Sequence, residues 1–267
     1  MTRQSPTMIE VDRHQITYFR DGRTDGPTLV LSHSLGACSQ MWRPQVAKFE
    51  AAFNVVRFDF PGHGDSSAAA EGITIEDLGR LTLAVCDRLG IDRFHFGGLS
   101  LGGMVGLWLG RYAAERIDRL VLSNTAARIA DTRLLVERLQ TIERDGLSSI
   151  EQSVMAGWLT SDFQSAHHEA TAEISSMFCR TTAAGYVNIA RAVCCFDFER
   201  ELRSIKVPTL VLGGEHDRAT PPEWNSHIAE RVGNGRYHSL NAAHLSNVEA
   251  AEAWNDAVAE FLNAPVV

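Results

Sequence analysis

Residues 94–112 read FHFGGLSLGGMVGLWLGRY. A short β-branched and aromatic run enters Gly98-Leu99-Ser100-Leu101-Gly102, and a nearly all-apolar stretch leaves it for Tyr112. The first part has the length of a buried strand. The last is apolar on every side, as a helix buried all round must be. A G-x-S-x-G pentapeptide between them marks a sharp strand-to-helix turn that holds its serine in a strained conformation. Side chains at positions 98 and 102 would strike the adjoining strand or helix, so glycine is required there. The Ser100 hydroxyl then stands at the positive end of a helix, where developing negative charge is favoured.

Outward from this turn the chain alternates short apolar runs with longer amphipathic ones. Ile9–Val11 and Gln15–Phe19 suit a leading hairpin. Strands are expected at Thr28–Ser32, Asn54–Phe58, Arg93–Phe96, Arg119–Leu122, Thr209–Leu212 and Arg236–Leu240. Helices are expected at Thr74–Leu89, Leu101–Tyr112, Pro222–Val232 and Val248–Leu262. Thr74 with Asp77 three residues on is a capping-box start. This alternation implies a mostly parallel sheet with helices on both faces. From Thr125 to Arg203 the pattern is helical only, with apolar residues such as Leu139, Val154, Trp158, Met177, Tyr186 and Val193. Residues 125–205 therefore read as a helical cap inserted between two strands of a core formed by 1–124 and 206–267. In open α/β sheets ligands bind at the carboxyl edge such a cap would cover.

Of 267 residues, 45% are hydrophobic and 22% charged, which suits one large globular domain with an insertion. A net charge of −8 and no basic run argue against nucleic acid and anionic lipid as partners. No apolar run approaches the roughly 20 residues of a membrane helix, and MTRQSPTMIEVDRHQ has no leader-like apolar region. Five cysteines without a framework spacing suggest a reducing compartment, with the cytoplasm as the expected location.

Further loops follow expected strands. His33-Ser34-Leu35-Gly36 follows Thr28–Ser32 and can aim a backbone amide inward, from Leu35 or, one register away, from Ser34. Gly213-Gly214-Glu215-His216-Asp217 follows Thr209–Leu212 and offers Asp217, or Glu215, as a carboxylate. Asn241-Ala242-Ala243-His244 follows Arg236–Leu240 and offers an imidazole. His63, in Phe58-Asp59-Phe60-Pro61-Gly62-His63-Gly64, reads as structural, and His33 and His216 as supporting residues. His167-His168-Glu169 lacks HExxH spacing, so no zinc site is expected.

With these motifs in order, the chain resembles the α/β-hydrolase superfamily along its whole length. More narrowly, HSLGACSQMWRPQ (33–45), FGGLSLGGMVGLWLG (96–110), LVLSNTAARI (120–129), TTAAGYVNIARAV (181–193) and AAHLSNVE (242–249) resemble the 3-oxoadipate enol-lactonases. The resemblance implies an eight-stranded, mostly parallel sheet. It implies Ser100 as nucleophile, Asp217 as acid and His244 as base, in that family's chain order. Leu35 and Leu101 would supply the oxyanion-hole amides. The expected substrate is a small lactone or carboxylic ester, and no cofactor or metal is called for.

Two positions depart from the family pattern. Phe60-Pro61 stands where a residue pair ending in arginine is expected, and Gly157-Trp158 where Arg-Trp is expected. Two arginines able to meet a substrate carboxylate are thus missing. Arg128 is a remaining candidate for an anion contact, or an ion pair at the hinge of the cap. Trp158 and Trp42 are candidates for the pocket wall or for core packing. A general carboxylesterase, a C–C bond hydrolase or a perhydrolase would use the same triad. A ligand-binding receptor on this scaffold is the non-enzymatic alternative.

Overall fold

A strand covered on both sides reads as a nearly continuous apolar run, and Leu29, Val30 and Leu31 all lack exposed surface. In the computed structural model they lie in β3 (Thr28–Ser32), near the middle of one eight-stranded sheet. The structure describes residues 6–265; the ends of the expected core, 1–5 and 266–267, with the start of the N-terminal stretch read for a leader, lie outside them. The other strands are β1 (Thr7–Val11), β2 (His14–Gly22), β4 (Asn54–Phe58), β5 (Phe94–Leu99), β6 (Ile117–Ser123), β7 (Thr209–Gly214) and β8 (Gly235–Leu240). Their order is β1-β2-β4-β3-β5-β6-β7-β8. The leading hairpin is antiparallel and joins β4 antiparallel; from β4 onward every pairing is parallel.

Alternation along each strand divides the core in two. Val30, Val56, Phe96, Leu120, Leu122 and Val211 face the helices Ile75–Arg88, Leu101–Tyr112 and Pro222–Arg231. Leu29, Leu31, Val55, Val121, Leu210 and Leu212 face the opposite way, toward Phe49, Trp254, Val258 and Phe261 on the helices Arg43–Phe49 and Ala251–Asn263. The capping box closes in both directions: Asp77 N donates to Thr74 Oγ1 (3.1 Å) and Thr74 N to Asp77 Oδ2 (2.9 Å). Among the described residues no helix is long and apolar enough to cross a membrane.

Two elements differ from the sequence reading. Arg43–Phe49 is a helix with proline in its first turn, too short for its periodicity to stand out. The helix expected over Val248–Leu262 is broken at Ala250, which leaves helical geometry (φ −115°, ψ 45°) between Ser246–Glu249 and Ala251–Asn263. The Glu249 carboxylate is turned back to accept from Ala243 N (2.8 Å) and from Thr160, and the helix restarts beyond it.

Between β6 and β7 the chain forms the helices Arg133–Asp145, Glu151–Trp158, Ser161–Ala166, His168–Cys179 and Ala183–Cys195. A lone bridge between Arg128 and Asp197 joins the two ends of this segment. The segment sits on the loops after β3, β4 and β8. Phe178 and Tyr186 lie against Gly36, Gly185 against Gly62, and Leu245 N donates to Trp158 O (2.9 Å).

The Gly185–Gly62 contact is backbone on backbone: a Cβ on Gly185 would lie 2.5 Å from both Gly62 Cα and Gly62 O. Gly185→Ala is therefore expected to lower stability. Overpacking costs about 1–3 kcal/mol, and alanine's better helix propensity offsets no more than about 1 kcal/mol. A urea midpoint equal to or above that of the unaltered protein would show that the two backbones can separate freely.

Candidate active site

Ser100 adopts φ 57° and ψ −112°, a conformation few non-glycine residues occupy, at a cost of roughly 1–3 kcal/mol. It is held there from three sides. Ser100 N donates to Ser123 O on β6 (2.9 Å), and Ser100 O accepts from Thr125 Oγ1 (2.7 Å) and Met104 N (3.0 Å). The glycine requirement is steric: a Cβ on Gly98 would lie 2.1 Å from Gly102 O, and one on Gly102 would lie 2.2 Å from Ser32 O.

Ser100, Asn124, Asp217 and His244 follow β5, β6, β7 and β8, four neighbouring parallel strands, so all four emerge at one edge. His244 Nδ1 is hydrogen-bonded to Asp217 Oδ2 at 2.8 Å, with both residues buried. Asp217 is tightly bound. Oδ1 accepts from Ala219 N (2.8 Å) and Thr220 N (3.0 Å); Oδ2 also accepts from Thr220 Oγ1 (2.6 Å) and Asn124 Nδ2 (2.9 Å). Burial alone would raise its pKa. The charge of His244 and the hydrogen bonds from His244 and Thr220 outweigh burial and bring it down to about 2. Among the described residues no hydrogen bond joins Ser100 Oγ to His244; in unliganded sites this contact is often long and tightens around substrate.

Asn124 and Thr220 were not singled out in the sequence. Asn124 (φ 47°) also donates to Ala243 O (3.3 Å) and accepts from Ser246 Oγ, so one amide ties three loops together. Its signal was faint: an asparagine directly after a buried strand, where its tolerance of positive φ is useful. Glu215, the alternative acid, is exposed and accepts from Ser239 Oγ (3.0 Å).

The loop after β3 lies across from Ser100. Gly102 N donates to His33 O (3.2 Å) and Gly36 N to His63 Nε2 (2.9 Å). The amides of Leu35 and Leu101 donate to no other group of the chain among the described residues, nor does that of Ser34, so both registers remain available. Two buried histidines hold this loop. His33 Nδ1 donates to Ser34 O (2.8 Å) while Nε2 accepts from Phe60 N (2.9 Å). His63 Nδ1 donates to Pro61 O (3.2 Å) while Nε2 accepts from Gly36 N. A carbonyl partner on one nitrogen and an amide donor on the other fix both rings as neutral Nδ1–H tautomers. Burial pushes their pKa values down to about 4 for His33 and about 3 for His63, where the nearby His33 ring adds to the effect.

The candidate substrate contacts fare differently. Trp42 has no exposed surface and packs on Trp254 at 5.5 Å between ring centroids, so it belongs to the core and forms no pocket wall. Its place in the first turns after the loop, beneath Ala251–Asn263, accounts for this correction. Arg128 is half exposed and paired with Asp197 (3.5 Å), joining the two ends of the helical segment. Trp158 stacks edge-on against Phe178 (5.7 Å), and Phe178 against Tyr186 (6.1 Å). This aromatic row runs from the loop of His244 to Gly36, over the site.

Comparison with known proteins agrees with this architecture. The family model for the alpha/beta hydrolase fold matches residues 27–144, and that for TAP-like proteins matches 197–267. A 3-oxoadipate enol-lactonase of Acinetobacter baylyi is 32% identical over 91% of each chain. A putative carbamate hydrolase of Stutzerimonas stutzeri is 29% identical over 89% of this chain and 92% of its own. The crystal structure of the enol-lactonase from Burkholderia xenovorans superimposes with a TM-score of 0.95 at 36% identity, covering 97% of this chain and all of that one. The chain belongs to the α/β-hydrolase superfamily. Within it, the chain is a carboxylic ester hydrolase of the kind to which the enol-lactonases belong.

The depressed histidines give a signed pH effect. Both rings stay neutral in the fold well below pH 6.5, whereas in the unfolded chain they protonate near 6.5. The unfolded state then binds more protons, so stability is full above about pH 6.5 and falls as pH drops toward 4, on the order of 1 kcal/mol per pH unit for each ring. His63→Gln should show a shallower fall of the urea midpoint over this window. Parallel profiles for the two proteins would mean that His63 takes up protons equally in both states.

Proposed function

We propose that this protein hydrolyses a small lactone or carboxylic ester, with 3-oxoadipate enol-lactone or a close analogue as substrate. Ser100 is the nucleophile, His244 the general base and Asp217 its orienting acid. The 2.8 Å Asp217–His244 hydrogen bond beside the Ser100 turn is the observation that carries this reading. Helices of residues 125–205 serve as a cap over the carboxyl edge of the core, and Trp158 is part of the wall facing the substrate. The free cysteines suit a cytoplasmic enzyme.

In this mechanism Ser100 Oγ attacks the lactone carbonyl carbon as His244 Nε2 takes its proton. The oxyanion is held by the amides of Leu35 and Leu101, one such donor being worth roughly 10²–10³ in rate. Collapse breaks the ring C–O bond. The departing enol oxygen receives the proton back from His244 and relaxes to a ketone, leaving an acyl-Ser100. Water, deprotonated by His244, then attacks the acyl carbon, and Ser100 leaves with the returned proton. Asp217, ionised at any working pH, keeps Nδ1 protonated and Nε2 free to accept. No cofactor enters any step.

Ser100→Ala should lower kcat on enol-lactone by about 10⁵–10⁶, since triad members act as a unit. Turnover near that of the unaltered protein would remove Ser100 from this role. Asp217→Asn should cost about 10⁴, and an unchanged rate would assign the acid elsewhere. The similarity to putative carbamate hydrolases supports a second substrate reading on the same serine. Parallel assays on enol-lactone, a p-nitrophenyl ester and a simple carbamate rank the two; a kcat/KM highest on the carbamate would displace the lactone.

A further inference from the structure

His244 follows β8 on a loop whose main chain is tied, on both sides of it, to one short stretch of the helical segment. After it, Leu245 N donates to Trp158 O (2.9 Å). Before it, Ala243 N donates to Glu249 Oε2 (2.8 Å), and the other oxygen of that carboxylate accepts from the Thr160 hydroxyl. Thr160 N also points at the carboxylate, 3.3 Å from each oxygen. Residues 158–160 are thus joined to this loop twice, and His244 stands between the two ties. Its ring is held separately, by Asp217 Oδ2 at Nδ1 (2.8 Å).

Glu249 makes no other side-chain hydrogen bond among the described residues, so both of its oxygens serve this link. The chain leaves helical geometry at Ala250, directly after it. A carboxylate accepts at both oxygens, whereas a carboxamide accepts at one and turns an NH2 group toward the donor at the other. Glutamate is therefore suited to bridging donors on two separate elements. The far end of the link is itself anchored. The Thr160 hydroxyl accepts from Phe163 N (3.2 Å) as the cap of the helix Ser161–Ala166, and Gln164 Nε2 donates to Leu159 O (2.9 Å).

We propose that Glu249 is a positioning residue for hydrolysis, which holds His244 in reach of Ser100 and makes its place depend on where residues 158–160 are seated. This rests on the serine-hydrolase reading above and adds to it the part that places the base. Glu249 touches no reacting atom. A displacement of about 1 Å at a catalytic group is enough to cost on the order of 10²-fold in rate.

The test uses the full chain at a temperature where each variant is folded by circular dichroism. It reads kcat and KM on p-nitrophenyl acetate, and the downfield NMR line of the proton between His244 and Asp217. Glu249→Ala should lower kcat about 10- to 100-fold with far less change in KM, and should shift or broaden the line. Glu249→Gln should fall between. Thr160→Val should also lower kcat, although it does not touch the loop of His244, and should cost nothing more in the Glu249→Ala background. Thr160→Ser, which keeps the hydroxyl, should restore the rate. A folded Glu249→Ala protein with unaltered kcat and line overturns the proposal, even if its urea midpoint falls. An unaltered kcat in Thr160→Val overturns the dependence on the helical segment. The line is read in Ser100→Ala protein as well, so the place of the imidazole is followed without turnover. The hydrolase reading is judged separately, by the turnover lost on Ser100→Ala.

Discussion

Everything at the carboxyl edge of this sheet is arranged around one crowded turn. Between β5 and the helix Leu101–Tyr112 the backbone passes so close to itself and to β3 that positions 98 and 102 have no room for a methyl group. The crowding forces Ser100 into a left-handed conformation that a free serine would leave. The helix behind it is buried, and Ser123 and Thr125 hold its peptide on the far side. Strain of this size is affordable only in a well-packed core. Two apolar layers of Val, Leu, Ile and Phe on either face of the sheet supply that rigidity.

The parts of the fold that were readable in the sequence are those in which local chemistry and long-range packing agree. Thr28–Ser32 and Asn54–Phe58 are centred on Leu29-Val30-Leu31 and Val55-Val56 because helices cover both of their faces, and the structure has strands at both. Leu101–Tyr112 is helical over the expected span because it is buried all round. Boundaries moved where pairing with neighbours extends a strand past its apolar run, as in Ile117–Ser123. The break at Ala250 was invisible, since it answers to Glu249 reaching Ala243 and Thr160, the latter 89 residues away. Asp217 and His244 could be read because parallel topology delivers the ends of β7 and β8 side by side. Asn124 and Thr220 could not, because their importance lies in which oxygen of Asp217 they reach. Trp42 and Trp254 look alike in composition to any pocket-lining pair; only three-dimensional contact shows them to be core.

The helical segment between β6 and β7 meets the core through contacts of different kinds. At Gly62 and Gly185 the contact is backbone on backbone, near the Arg180–Asp65 ion pair. Over the site itself the contact is aromatic, through Trp158, Phe178 and Tyr186, whose rings meet edge to face. The first kind fixes where the segment sits. The second brings the rings of Phe178 and Tyr186 against Gly36, on the loop after β3.

The paired rings of His33 and His63 have a consequence for proton traffic. Each of their four nitrogens is already committed, two as donors to carbonyls and two as acceptors from amides, one of them the amide of Gly36 on the loop after β3. Neither ring can accept or pass on a proton without releasing a piece of main chain. His33 and His63 are therefore spectators in any acid–base step at this edge of the sheet. Among the described residues the imidazole of His244 has its hydrogen bonds at Nδ1, to Asp217 and Thr220, and none at Nε2.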